Sequence, residues 1–187
     1  MPSIAGRLED VRRFRDTMGM FATGVAVIVA KSGDDTFAMT VNAVSSVSLD
    51  PMLVLFCPGK HTRFAQNLSS ISGFTINFLR QEQQSLSTYF AGAWKASGPP
   101  PFRLVPSVCA PRLEGSLASL DCEPAQVSEH GDHWIVIGRV QDLHVGVQPH
   151  RPLLFFGGRY HHVDFAAAAP HAPDLTDVKD EPAHLYY

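Results

Sequence analysis

Cysteine is scarce in this chain, and the little there is forms no pattern. The 187 residues hold three, Cys57, Cys109 and Cys122. An odd count without a C-x-x-C pair excludes a disulfide framework and a zinc ribbon. An excess of basic charge is lacking too. Fifteen Lys and Arg stand against eighteen Asp and Glu, a net charge of −3, and this argues against a nucleic-acid binder, which needs a basic face. Arg12, Arg13 and Arg15 form a small basic group near the start, and little follows it. Long apolar runs are missing as well. The longest, Val25 to Ala30, falls far short of the ~20 residues that cross a bilayer. Arg7, Asp10, Arg12 and Arg13 interrupt any leader-like stretch. A soluble, cytoplasmic protein with no membrane association is predicted. Neither the Gly-x-Gly-x-x-Gly fingerprint nor the Walker lysine motif occurs, and no serine sits in a nucleophile elbow.

Apolar residues are plentiful at 45%, with 18% charged, enough for one domain with a sizeable core. Leu8, Val11, Phe14, Met18 and Phe21 recur at helical spacing, and Gly24 stands where that helix should stop. Val25–Ala30 reads as a buried strand, Ser32–Asp35 as a hairpin turn, Thr36–Ala43 as the return strand and Met52–Phe56 as another strand. A turn at Pro58–Lys60 precedes a short helix over His61–Ser70. Phe74–Leu79 reads as a strand and Gln81–Ala91 as a helix with Leu86, Tyr89 and Phe90 inward. Ala93 to Pro106 is a Pro/Gly loop long enough for a lid or an arm. Strands return at Leu117–Glu123, Trp134–Val140 and Leu153–Phe156. From Ala166 the chain turns into an Ala/Pro-rich acidic tail, so a domain over 1–165 and an extended tail over 166–187 are expected. Many short strands with few helices between them predict a mainly β protein, a closed or Greek-key barrel with helical decoration. A doubly wound parallel sheet is excluded on the same ground.

Two segments stand out chemically. Met39 to Pro51 carries Thr40, Asn42, Ser45, Ser46, Ser48 and Asp50 within a stretch that otherwise reads as strand. Such groups, if buried unpaired, cost on the order of 1–3 kcal/mol each. They find partners in neighbouring backbone, in a turn, or in an acceptor-rich ligand such as a phosphorylated cofactor. The second segment is Gly131-Asp132-His133-Trp134, just ahead of an apolar strand. Its glycine suits a tight turn, and its aspartate is placed to orient the histidine ring. A turn histidine is either a surface cap or a functional group, and spacing alone leaves both open. Of the nine histidines, His130 and His133 are three apart and His161 and His162 adjacent. Neighbours on a strand point to opposite faces, and no third and fourth ligand is evident, so no metal site is expected.

Phe14-Arg15-x-x-Met18-Gly19-x-Phe21-Ala22-Thr23-Gly24-Val25 resembles the opening of the short-chain flavin reductases, the reductase components of two-component flavin-dependent monooxygenases. The similarity runs on in order through Met39–Pro51, Ser72–Leu79, Leu120–Cys122, Gly131–Val140 and Pro152–Tyr160, covering about residues 10 to 162. The resemblance implies a split β-barrel of the FMN-binding type, a homodimer, and reduction of FMN or FAD by NADH or NADPH for a partner monooxygenase. It implies that flavin lies along Thr40–Ser48. Thr40 and Asn42 would contact the isoalloxazine, Val41, Ala43 and Ser45 would line it, and Ser46 and Ser48 would face the ribityl chain or phosphate. Lys60, Thr62 and Arg63 resemble the phosphate-binding stretch, helped by amides at the next helix start. His133, with Asp132, matches the family's Gly-Asp-His near the nicotinamide. Tyr160 is placed at the flavin edge, or equally in the core. An alternative within the same fold is a flavin-binding protein without reductase activity, or one acting on another acceptor such as a corrin.

Overall fold

The computed structural model describes residues 4–147 and 151–163, so the expected tail at 166–187 lies outside the described residues. Helix α1 (Ile4–Met18) is followed by strands β1 (Thr23–Gly24), β2 (Ala26–Ser32), β3 (Asp35–Val41), β4 (Val44–Leu49) and β5 (Met52–Phe56). One turn of helix, α2 (Arg63–Gln66), and a 3-10 turn (Leu68–Ser70) lead to β6 (Gly73–Phe78) and α3 (Gln84–Phe90). The short strands β7 (Leu104–Val105) and β8 (Arg112–Leu113) precede the long hairpin β9 (Ala118–His130) and β10 (His133–Val145). Strands β11 (Leu153–Phe156) and β12 (Arg159–His162) complete the described chain.

Seven strands form one antiparallel sheet in the order β3-β2-β6-β9-β10-β5-β4. The sheet is not closed. Strands β3 and β4 are its two edges, yet only Asn42 and Ala43 separate them in the chain. A chain of so few residues spans no more than about 11 Å, so the edges must meet at that corner while staying unpaired elsewhere. The sheet therefore curls into a split barrel, with its seam opening away from Asn42 and Ala43.

The interior follows from alternation. Ala26, Ile28, Ala30, Phe56, Phe74, Ile76, Cys122 and Val136 point inward and are buried. Gly138 makes room for this core, since a Cβ there would sit 2.4 Å from the Phe74 ring. The opposite residues of β2, Val27 and Val29, with Val25 just ahead of the strand, form a second cluster with Leu79, Leu86, Leu113 and Leu153. Strand β2 is thus buried on both faces, which accounts for its unbroken apolar run. Asn77, fully buried, ties the second layer to the sheet. It donates to the Val27 carbonyl (3.0 Å) and the Thr75 hydroxyl (3.0 Å), and it accepts from Leu113 N (2.8 Å) and Ser119 Oγ (2.9 Å).

The first helix ends at Met18, where Gly19 N bonds to the Arg15 carbonyl (2.8 Å), and Gly24 belongs to a strand. The helix expected over His61–Ser70 is a single α turn followed by a 3-10 turn. The Pro/Gly loop is anchored: Trp94 Nε1 donates to the Gly98 carbonyl (2.8 Å), and Phe102 packs on Phe90 and Tyr89 at 5.1 and 6.0 Å between ring centres. Among the described residues no helix is long and apolar enough to cross a membrane.

Candidate functional site

Three turns converge beside the seam. The β3–β4 corner is fastened when Cys57 N donates to the Ala43 carbonyl (3.3 Å). The turn after β5 is joined to the β9–β10 hairpin by Trp134 N to the Pro58 carbonyl (2.9 Å) and Lys60 N to the Asp132 carbonyl (2.9 Å). The hairpin turn has two central residues, and Gly131 takes φ +59° at the first of them, where glycine is favoured. These bonds bring Asn42, Ala43 and Ser45, all exposed, into the neighbourhood of Lys60, Asp132 and His133.

His133 Nδ1 lies 2.8 Å from Asp132 Oδ1. That hydrogen bond, and next the charge of His133, hold the exposed Asp132 carboxyl below the usual carboxylate range. The Nε2 side of the ring stays turned towards Gly59, where a Cβ would come within 3.6 Å of it and within 2.9 Å of His61 Cε1. Gly59 therefore keeps open the space between two imidazoles. Lys60 is half-buried, pairs with Glu129, and lies 5.7 Å from the centre of the Trp134 ring. Thr62 caps α2: its hydroxyl accepts from Ala65 N (3.1 Å) and donates to the Gly59 carbonyl (2.7 Å). Arg63 turns the other way, over Phe37 at 5.6 Å. Helix α2 is only one turn long, so little helix dipole accumulates at its start.

The other predicted residues divide. Thr40 Oγ1 donates to the Ser87 carbonyl (2.7 Å), and Tyr160 Oη lies 2.8 Å from Ser87 Oγ. Both side chains thus meet α3 on the outer face of β3. Tyr160 also packs on Phe155. The Val41 side chain is buried in the barrel, leaving only its backbone for a ligand. Ser46 and Ser48, with Asn42, line a cavity of about 460 Å³ whose walls are otherwise apolar: Phe21, Leu53, Val54, Phe78, Leu120 and Val140 among them. Ser48 lies four residues beyond Val44, roughly 12 Å along the strand, so it is not brought together with Lys60 and Thr62. The pairing register shifts between Ser46 and Ser48, which face Val54 and Leu53, and all four line the cavity. Thr23 Oγ1, at the rim, is a buried hydroxyl without a protein partner.

Glu129 and Gly59 escaped the sequence reading. A two-residue turn at Gly131-Asp132 fixes the register and places Glu129 opposite Trp134, so counting back from the turn would have found Glu129. Burial pushes the Cys122 thiol up to about 12, and it raises Cys57 and Cys109 as well. Small exposed residues at the corner, a cation and an oriented imidazole on turns tied to one another are groups that suit a flat, phosphorylated ring system.

Comparison with known proteins identifies the class. The model of the flavin reductase like domain matches residues 18–164. The reductase subunit HsaB of a flavin-dependent monooxygenase from Rhodococcus jostii (strain RHA1) is 35% identical over 179 residues, covering 92% of this chain and 89% of its own. The NADH-dependent FMN reductase AsuE2 of Streptomyces nodosus subsp. asukaensis is 36% identical, covering 79% and 82%. Among solved structures, flavin reductase PheA2 superimposes with a TM-score of 0.76 at 35% identity, covering 82% of this chain and 97% of its own. The Streptomyces globisporus NADH:FAD oxidoreductase SgcE6, in complex with NAD and FAD fragments, gives 0.73 at 32% identity, with coverage of 88% and 96%. The chain belongs to the flavin reductase like domain family.

Proposed function

We propose that this protein is an NADH-dependent flavin reductase that supplies reduced FMN or FAD to a separate flavin-dependent monooxygenase. The observation that carries the reading is the set of backbone bonds that join the Asn42–Ser45 corner, the Lys60 turn and the Asp132–His133 hairpin, in a chain whose relatives are named as reductases of this kind. Hydride transfer from nicotinamide to flavin N5 is chemistry that the bound cofactors supply. What the chain contributes is placement, worth several kcal/mol of barrier. The backbone of Val41 to Ser45 carries the ring, Asn42 faces it, and Lys60 receives the phosphate end, while Thr62, whose donors are both taken by the Gly59 carbonyl, holds the turn in shape. Arg63 acts on that end only from its far side. His133, oriented by Asp132, holds the nicotinamide. Thr40 and Tyr160 support the corner from below through Ser87. Ser46 and Ser48 serve the neighbouring cavity.

The functional unit in this reading is a homodimer, supported by apolar side chains of α1 that the chain's own core does not cover. Residues 1–165 form the catalytic domain and 166–187 an appended tail. The cytoplasm, where NADH is drawn upon, is the working compartment. The test is NADH oxidation followed at 340 nm, with FMN, FAD or riboflavin added in turn. Turnover that requires added flavin is expected. Its absence with every flavin would overturn the reading and favour a binding protein, or one acting on another acceptor such as a corrin.

A further inference from the structure

Lys60 is constrained on several sides. Its amide is tied to the Asp132 carbonyl at 2.9 Å, its ammonium sits over the Trp134 ring, and its charge is paired with Glu129. Glu129 owes its place to hairpin register, directly across from Trp134. The pair is unequal: the lysine side chain is 31% exposed and the glutamate 62%. The cation is therefore the fixed member and the carboxylate the one free to leave. Ion pairs with an exposed partner are weak, so an incoming phosphate can displace it.

We infer that Glu129 is an internal competitor for Lys60 and tunes how weakly the phosphate end of the flavin is held. The inference rests on the proposed role of Lys60 at that phosphate. A ligand phosphate must take Lys60 from the carboxylate, and apparent affinity falls by the fraction of molecules in which the lysine is engaged. The competition concerns only the phosphate, because the ring contacts of the corner are made elsewhere. Glu129 thus acts through Lys60 as a positioning residue. It suits a reductase whose product must leave for another protein.

The experiment measures dissociation constants of FMN and riboflavin for the flavin-free, full-length protein by fluorescence quenching. The proteins are wild type, Glu129→Gln and Lys60→Met, each first shown to retain its thermal transition. Glu129→Gln is expected to bind FMN about three- to fivefold more tightly, with riboflavin unchanged, and the gain should shrink as salt is raised. Lys60→Met is expected to weaken FMN and spare riboflavin. If Lys60→Met does so while Glu129→Gln leaves FMN unchanged or weaker, or tightens both flavins alike, the inference on Glu129 is overturned and the site reading stands. If Lys60→Met weakens neither flavin selectively, the reading of Lys60 fails, and the inference with it.

Discussion

In the proposed function His133 is the side chain that holds the nicotinamide, and its bond to Asp132 fixes the ring. Removing the ring by His133→Ala should slow flavin reduction by NADH about tenfold to a hundredfold, the scale of misplaced reactants. Flavin affinity should stay within about twofold, because the corner and Lys60 are untouched. Stopped-flow reduction beside a flavin titration separates the two, and an unchanged reduction rate would remove His133 from the mechanism. The carboxyl of Asp132 adds a pH corollary. Its folded pKa lies below the ordinary value because His133 bonds to it. Such a group favours the folded arrangement above its unfolded pKa of about 3.9 and loses that effect only as pH falls through the folded pKa. Asp132 therefore stays ionised through pH 5 to 8, and any inflection of rate in that window that survives in Asp132→Asn belongs to another group. Much of this was legible beforehand, since glycine in a two-residue turn and an aspartate beside a histidine are local signals. Thr40 and Tyr160 were not legible in this way. Their hydroxyls are taken by Ser87, 47 and 73 residues away, and no local pattern announces a partner at that distance.

Among the elements, β2 and β6 matter most, because each is covered on both faces. Asn77 on β6 satisfies four polar groups, one on β6 and three from other parts of the chain, without meeting water. Asn77→Ala strands the amide of Leu113 and leaves a small void. A loss of about 2–4 kcal/mol is expected, read as a lower urea midpoint with an unchanged slope; a loss under about 0.5 kcal/mol would show that the hub is dispensable. The strands with unbroken or alternating apolar pattern, such as Met52–Phe56 and Phe74–Leu79, could be read from the sequence nearly to their ends. The long hairpin could not. The observed β9 and β10 run to His130 and Val145, well past the expected Glu123 and Val140. Beyond Cys122, β9 has lost β6 as a neighbour, so Pro124 is tolerated on a free edge. Register shifts at Ile137/Gly138 and Val140/Asp142 break the alternation that sequence reading relies on. The helix stop was misplaced for a related reason: two glycines follow α1, and only the fold distinguishes the one that ends it from the one that pairs with Leu154.

At the scale of the whole molecule, the question is what covers α1. Its side chains Leu8, Val11, Phe14 and Met18 repeat at helical spacing, as a core-facing stripe does, yet they are 54–67% exposed, and Phe21 just beyond is 72% exposed. Val47, Leu49 and Met52 on the β4–β5 edge are exposed as well. Uncovered apolar surface of this extent is what the proposed homodimer would bury. Two copies of one chain meeting through it would also cover the rim of the cavity that Phe21, Leu49 and Met52 help to line. The double substitution Phe14→Glu and Met18→Glu puts two carboxylates into that interface without touching either internal core cluster. Burying an unpaired charge there should weaken association by about 3 kcal/mol or more, a hundredfold or greater rise in the dimer dissociation constant. Sedimentation velocity at micromolar concentration should then show a dimer for the wild type and a monomer for the variant, with the same circular dichroism for both. A wild type that sediments as a monomer, or a variant that stays dimeric, would mean that α1 faces a different partner. Because the corner and the Lys60 turn are held by bonds within one chain, the monomer should still bind FMN, whereas ligand contacts supplied across the interface would be lost. The ratio of the two FMN affinities therefore reports how much of the site one chain completes alone.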